Sequence, residues 1–235
     1  PAKLTRIALL PLSATFLVAA LLSGCEQPTT RLEQMRDQGT VRMVTRNTPT
    51  TFYQDRHGNT GLEYELSKRF ADSLELELDV QTIDTLDELY GQIASPTGPQ
   101  IGAAGITVNP QRTDQVRFST PYMEVTAQVV YRRGDSQPRS IEDLYGKRIM
   151  VLKGSTLADQ LRDLQIEHPQ LVFEESDRVE VVDLLRLVND DEIDHAVVYS
   201  NELVVNQAFY PAVRVGFDLS DPQPMAWALP PGEDD

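Results

Sequence analysis

The chain has 235 residues, 40% of them hydrophobic and 24% charged, enough to bury one large or two small globular cores. Its 36 acidic and 21 basic residues give a formal net charge of −15, which argues against a nucleic-acid partner, because neutralising phosphates takes clustered Lys and Arg and the chain has no such cluster. The acids are spread out as a solvated surface, and a single cysteine leaves no intramolecular disulfide to form.

At the front, Lys3 and Arg6 precede an apolar run over residues 7–22, too short and too one-sided for a spanning helix, and this reads as a targeting segment. The run ends in Leu22, Ser23, Gly24 and Cys25, which resembles the bacterial lipoprotein signal. That resemblance implies a signal peptide over residues 1–24 and a lipid on the Cys25 thiol. With Glu26 rather than Asp next, it also implies an outer-membrane anchor facing the periplasm. Residues 25–38 form the tether, and 31–38 within it read as a short helix stopped by Gly39.

Val41, Met43 and Thr45 alternate as a strand, followed by a loop over residues 47–53 carrying Thr48, Thr50, Phe52 and Tyr53, and a turn around Gly58. Leu62, Leu66, Phe70 and Leu74 recur at every fourth residue, which predicts a helix with one buried apolar stripe. The period then drops to two at Leu76, Leu78 and Val80, and Thr85 with Glu88 forms a capping box ahead of the helical stripe Leu86, Leu89, Tyr90 and Ile93. This alternation predicts an α/β layer with a largely parallel sheet, with ligands at the carboxyl ends of the strands.

An apolar strand over 101–106 leads into Thr107, where Asn109 and Pro110 suit the cap and first position of a helix and place Arg112 in its first turn. A cation against the positive end of a helix dipole is locally unfavourable, which suggests a guanidinium held there for an anion. A surface Arg pairing with a nearby carboxylate fits the spacing equally well. Residues 125–132 are extended and 133–138 are a polar loop, taken as the passage between two lobes. The strand 148–152 delivers Lys153, Gly154, Ser155 and Thr156 to a helix start, where free N–H groups favour an anion or Ser155 simply caps the helix. A strand over 171–173, a helix with Val181, Leu184, Leu185 and Val188, and a buried strand over 193–199 follow. A helix over 204–210, a strand over 213–217, a polar link over 218–224 and a strand over 225–229 complete the chain.

The tract GITVNPQRTDQVRFSTPY (Gly105 to Tyr122) resembles the T-x-x-x-x-R…FS-x-PY segment of family 3 periplasmic solute-binding proteins, and GLEYELSKRFADSL from Gly61 is similar to that family's other signature. The resemblance implies a two-lobed periplasmic-binding-protein-like (type II) fold, with lobe one over 39–130, lobe two over 131–221 and a return strand over 222–235. Relatives continue with helices that complete lobe one, so the chain is expected to be a fragment. Carried over residue by residue, Arg112 and Thr107 take a ligand carboxylate, with Gly105, Tyr53, Glu63, Ser155, Thr156 and Tyr199 as further ligand contacts. Amino-acid-binding relatives place an Asp near Tyr199 for the ligand's ammonium group. This chain has Tyr199 and Ser200 there, with Glu202 beyond, which points to a ligand whose amine is acylated, as in a peptide.

No catalytic constellation is present: His57, His168 and His195 are isolated, and nucleophile-elbow, zinc and GxGxxG patterns are missing. Together with the leader, VTRNTPTTFYQDRHGNTGLEYEL, VLKGS and MAWALPPGEDD resemble the N-terminal regulatory part of the membrane-bound lytic murein transglycosylase F family. The expectation is a lipid-anchored sensor of peptidoglycan-derived peptides or amino acids, not itself an enzyme and without cofactor or metal, preceding a catalytic domain. The alternative is an amino-acid receptor for an ABC transporter. Closure about a hinge near residues 126–131 and 218–224 is the expected signal.

Overall fold

The computed structural model describes residues 30–232, so the leader, Cys25, the first part of the tether and residues 233–235 lie outside the described residues. Thr30 caps α1 (Arg31–Gln38) through a capping box with Glu33, and Gly39 at φ 70° ends it. Then come β1 (Thr40–Thr45), the hairpin β2 (Tyr53–Asp55) and β3 (Gly58–Thr60), α2 (Leu62–Ser73), β4 (Glu77–Thr82), α3 (Leu86–Ala94), β5 (Ile101–Gly102), a 3₁₀ turn (Pro110–Arg112) and β6 (Arg117–Phe118). β7 (Met123–Val125) and β8 (Ala127–Arg132) follow, then a 3₁₀ turn (Ile141–Leu144), β9 (Ile149–Leu152), α4 (Thr156–Glu167), β10 (Glu174–Ser176), α5 (Val181–Asn189), β11 (His195–Tyr199) and α6 (Ser200–Asn206). The chain closes with β12 (Val213–Asp218), β13 (Gln223–Met225) and β14 (Ala228–Leu229).

Two five-stranded sheets result, ordered β4-β1-β5-β14-β6 and β10-β9-β11-β8-β12. In each, the half built from strand-helix-strand units is parallel, and the half fed by chain crossing between lobes is antiparallel. Adjacent residues of β8 point to opposite faces, so Val129 packs with Val151, Leu161 and Val197, while Val130 packs with Leu184, Val188 and Val198. The second sheet is therefore covered on both faces, as its unbroken apolar strands require.

Several local expectations shift. The boundary expected at 130/131 falls earlier, because the whole of β8 lies in the second sheet; the crossing is the antiparallel pair β7·β13, with Met225 opposite Met123. Residues 127–131, expected at the hinge, are thus ladder-bonded. The buried stripe of α2 is Glu63, Ser67 and Ala71, whereas Leu62 and Phe70 are exposed. Small side chains let the helix lie close on the sheet, and Phe70 packs edge-on against Trp227 at 6.2 Å. The strand expected over 101–106 ends at Gly102, because the chain turns at Gly105, φ 69°. Residues 171–173 form no strand, which comes at Glu174–Ser176 instead, and the helix expected over 204–210 starts directly after β11 at Ser200. Arg112 closes a single 3₁₀ turn, too short to carry a helix dipole, so the dipole argument for its placement does not hold.

Candidate ligand cleft between the lobes

The segment that returns from lobe two fixes the Thr107 loop. Val108 N–H donates to Pro224 O at 2.9 Å and Ala226 N–H to Ile106 O at 3.1 Å, so Thr107 is held against the returning strand β13, bridged to Met225. Its fully buried hydroxyl lies 2.7 Å from the Tyr199 hydroxyl at the end of β11, which also bonds the Thr156 side chain at the start of α4. Burial pushes the Tyr199 phenol well above its usual range, so it stays protonated and able to donate.

Arg112 turns inward. Its side chain is 17% exposed, its guanidinium carbon sits 4.5 Å over the Tyr90 ring, and its Nη2 is 3.7 Å from Asp87 Oδ1. Burial raises the Tyr90 phenol to about 12 against the opposing pull of Arg112. Asp87 in turn lies beside the turn before α4, since a Cβ on Gly154 would come within 3.2 Å of its Oδ1. One turn away, Asn109 Nδ2 donates to Asp159 of α4 at 2.6 Å, and Gln111 reaches Asp163 at 3.2 Å. The two lobes therefore meet around a polar surface that carries the Arg112 guanidinium, several carboxylates and the Thr107 and Tyr199 hydroxyls.

A second cluster spans the cleft. Glu63 in the first turn of α2 is 1% exposed, and its Oε1 accepts from Gly105 N–H at 2.9 Å and from the Tyr122 hydroxyl. Gly61 sets that helix start, at φ 121° and so close to the Thr51 carbonyl that no Cβ fits. Arg46, just past β1 and 3% exposed, forms an ion pair with Glu180 at the cap of α5. Glu202, in the first turn of α6, is also buried. Burial lifts Glu63 and Glu202 to about 7 each, with Arg46 opposing the rise in both.

The pattern of bacterial extracellular solute-binding proteins, family 3, matches this chain over residues 40–217. The chain belongs to that family. Among curated relatives it is 50% identical over 232 residues to the membrane-bound lytic murein transglycosylase F of Pseudomonas fluorescens, covering 97% of this chain and 48% of that protein. It is 54% identical to the protein of the same name from Ectopseudomonas mendocina, covering 92% of this chain and 44% of the relative. The chain spans about half the length of the curated relatives it matches. Among solved structures, the cysteine-binding protein of Campylobacter jejuni superposes with a TM-score of 0.74 at 26% identity, over 87% of this chain and 82% of that one. An ancestral arginine-binding protein bound to arginine superposes with a TM-score of 0.73 at 23% identity, over 83% and 85%.

Within this family 3 solute-binding fold, the expected residues separate into those that meet and those that do not. Thr107, Tyr199 and Thr156 share one hydrogen-bonded cluster, and Gly105 and Glu63 share another. Arg112 reaches Tyr90 and Asp87, two neighbours that the spacing did not name. Ser155 is engaged as the cap of α4, accepting from Ala158 N–H at 3.2 Å and donating to Leu152 O at 2.6 Å. Tyr53 opens the exposed hairpin, while Phe52 is the buried aromatic, 5.7 Å from Tyr64. Sequence reasoning missed Arg46 and Glu180. A lone cation in the otherwise uncharged stretch from Val44 to Tyr53 was the available signal for the first; Glu180 looks like any surface acid until its partner is known.

Proposed function

We propose that this chain is a lipid-anchored sensing module that binds a carboxylate-bearing peptidoglycan fragment, a stem peptide or amino acid, between its lobes and relays occupancy to a catalytic domain of a murein-cleaving protein. The observation that carries this reading is Arg112, drawn into the cleft and stacked on Tyr90 beside the start of α4. A planar guanidinium held on an aromatic face is oriented for two parallel hydrogen bonds to a carboxylate. Thr107, Tyr199 and Thr156 supply hydroxyls alongside it, and Gly105 and Glu63 shape the wall behind.

Support for the peptide comes from Ser200, which stands close to where relatives carry an acid for the ammonium group. Its hydroxyl accepts from Thr126 N–H at 3.1 Å and is committed to the crossing strand. Support for the murein context comes from the curated relatives, and for the anchor from the leader motif ending at Cys25. An outer-membrane location facing the periplasm follows from Glu26 after that cysteine. The chain itself does not cleave murein, and a zymogram should show no cleared band. A second reading, an amino-acid receptor for a transporter, is favoured by Glu202, a buried acid that could meet an ammonium group. Calorimetric titration with stem peptides and with free amino acids separates the two: tight binding of a free amino acid alone overturns the sensor reading.

A further inference from the structure

We infer that the lobes are latched to each other by their own side chains, so that the ligand-free module stays closed and a ligand enters only after parting them. The lobes are joined through the crossing pair β7·β13, which belongs to neither five-stranded sheet. A ribbon of two short strands is a hinge of the kind that admits rigid-body rotation, so contacts across the cleft decide the angle between the lobes.

Each of these contacts takes one partner from either lobe. Tyr199 ends β11 of the second sheet, and its hydroxyl meets the fully buried Thr107 hydroxyl of lobe one at 2.7 Å. Asn109, two residues further along lobe one, donates through Nδ2 to buried Asp159 at 2.6 Å, and Gln111 donates through Nε2 to Asp163 at 3.2 Å. Both acids belong to α4, which packs on the second sheet through Leu157, Ala158 and Leu161. Arg46, just past β1, pairs with Glu180 at the cap of α5, which packs on the other face of that sheet. An apolar contact joins them: Leu152, at the end of β9, packs against the lobe-one cluster of Val44, Leu86 and Leu89.

These contacts leave little room. A cavity of about 20 Å³, lined by Thr48 and Thr50 of lobe one and by Val181, Glu202 and Asn206 of lobe two, is the size of one water molecule. A small-molecule ligand ordinarily fills a pocket of about 300–1,000 Å³, so entry here requires the lobes to move apart. The Thr107 and Tyr199 hydroxyls, which the proposed function gives to the ligand, are bonded to each other; resting on that reading, the ligand replaces the latch instead of adding to it. When the lobes part, these groups exchange each other for water. Each neutral bond then favours the closed form by about two- to tenfold, and a bond to a carboxylate by about ten- to a hundredfold. Removing one of the buried groups leaves its partner unpaired in the closed form alone, which shifts the population further toward the open one.

The test needs no ligand. In a Cys25→Ser background, nitroxides on Arg69→Cys of α2 and Gln207→Cys beyond α6, exposed positions on opposite lobes, report lobe separation by double electron–electron resonance. The whole chain is first unfolded and refolded to strip any bound ligand. It should show one short separation, and Tyr199→Phe combined with Asn109→Ser should raise the share of a longer one by at least about tenfold. Serine keeps a cap for the 3₁₀ turn, where Asn109 accepts from Gln111 N–H at 2.9 Å, but loses the reach to Asp159. A stripped wild type already at the longer separation, or a double variant that keeps the wild-type distribution, overturns the inference. Should that variant fail to fold, Gln111→Ala combined with Asp163→Ala cuts an exposed link and should still shift the distribution by about twofold; no shift overturns the latch. Ligand titrations bear only on the proposed function, so either idea can fail while the other stands.

Discussion

Replacing Arg112 with alanine tests the cleft most directly. In the absence of ligand, the guanidinium makes contacts of modest value, among them a long 3.5 Å hydrogen bond to the exposed Gln115 Oε1. Its ion pair with Asp87 spans 3.7 Å to a side chain that is 60% exposed, which is worth under about 1 kcal/mol. Its stack on Tyr90 contributes about 0.5–2 kcal/mol. Urea unfolding of Arg112→Ala should thus show a loss of only about 1–2 kcal/mol. A ligand carboxylate enclosed by both lobes loses far more, because truncating the guanidinium strands the opposite charge: about 2–5 kcal/mol, or roughly thirtyfold to several thousandfold in affinity. Calorimetry with the stem peptide that wild type binds measures this difference. Arg112→Lys keeps the charge but loses both the fork and the planar stack, so it should recover only part of the affinity. If Arg112→Ala binds that peptide as tightly as wild type, the side chain is a structural partner of Tyr90 and the ligand sits elsewhere.

Three further outcomes follow from the same contacts. The Glu63 carboxyl is raised from an ordinary 4.5 to about 7, so between those values the folded chain holds a proton that the unfolded chain has released; stability is greatest at the acid end and falls by about 3 kcal/mol as pH rises through the window. Glu63→Gln should flatten that part of the profile in denaturant titrations at stepped pH, and an unchanged slope would exclude Glu63 as its source. Tyr199→Phe leaves the buried Thr107 hydroxyl without its 2.7 Å partner and should cost about 1–3 kcal/mol in urea unfolding. Combined with Thr107→Val it should cost less than the two single changes added together, and strict additivity would show that the two groups do not interact. Gly61→Ala should cost more than about 2 kcal/mol, since its Cβ would lie 2.2 Å from the Thr51 carbonyl at φ 121°, while Gly39→Ala, at φ 70° with open space around it, should cost about 1 kcal/mol. Thermal or urea unfolding of the two variants side by side checks the ranking.

Much of the fold was legible because its signals are local. The stripe of Leu86, Leu89, Tyr90 and Ile93 became α3 with all four residues buried, and Thr85 caps it by accepting from Glu88 N–H at 3.2 Å. The apolar alternation of Val41 and Met43 became β1, an interior strand of its sheet between β4 and β5. The same reading misjudged α2, because periodicity reports where apolar residues lie on a helix and not which face the sheet accepts. Close packing selected the small residues Ser67 and Ala71, and a carboxylate beside them, over Leu62 and Phe70.

Read alone, the sequence determined the α/β class and carried the family signature around Arg112, both of which rest on residues near one another in the chain, where spacing dictates geometry; the two lobes and the carboxylate ligand were expected only through the resemblance that this signature carries. Only the tertiary structure decided which charges meet. Arg46, Glu63, Glu180 and Glu202 come from four separated segments, and their pairing and burial exist only once those segments have been folded together. The energy of a charge is set by the water it loses and the partner it gains, and both are supplied by residues far away in sequence.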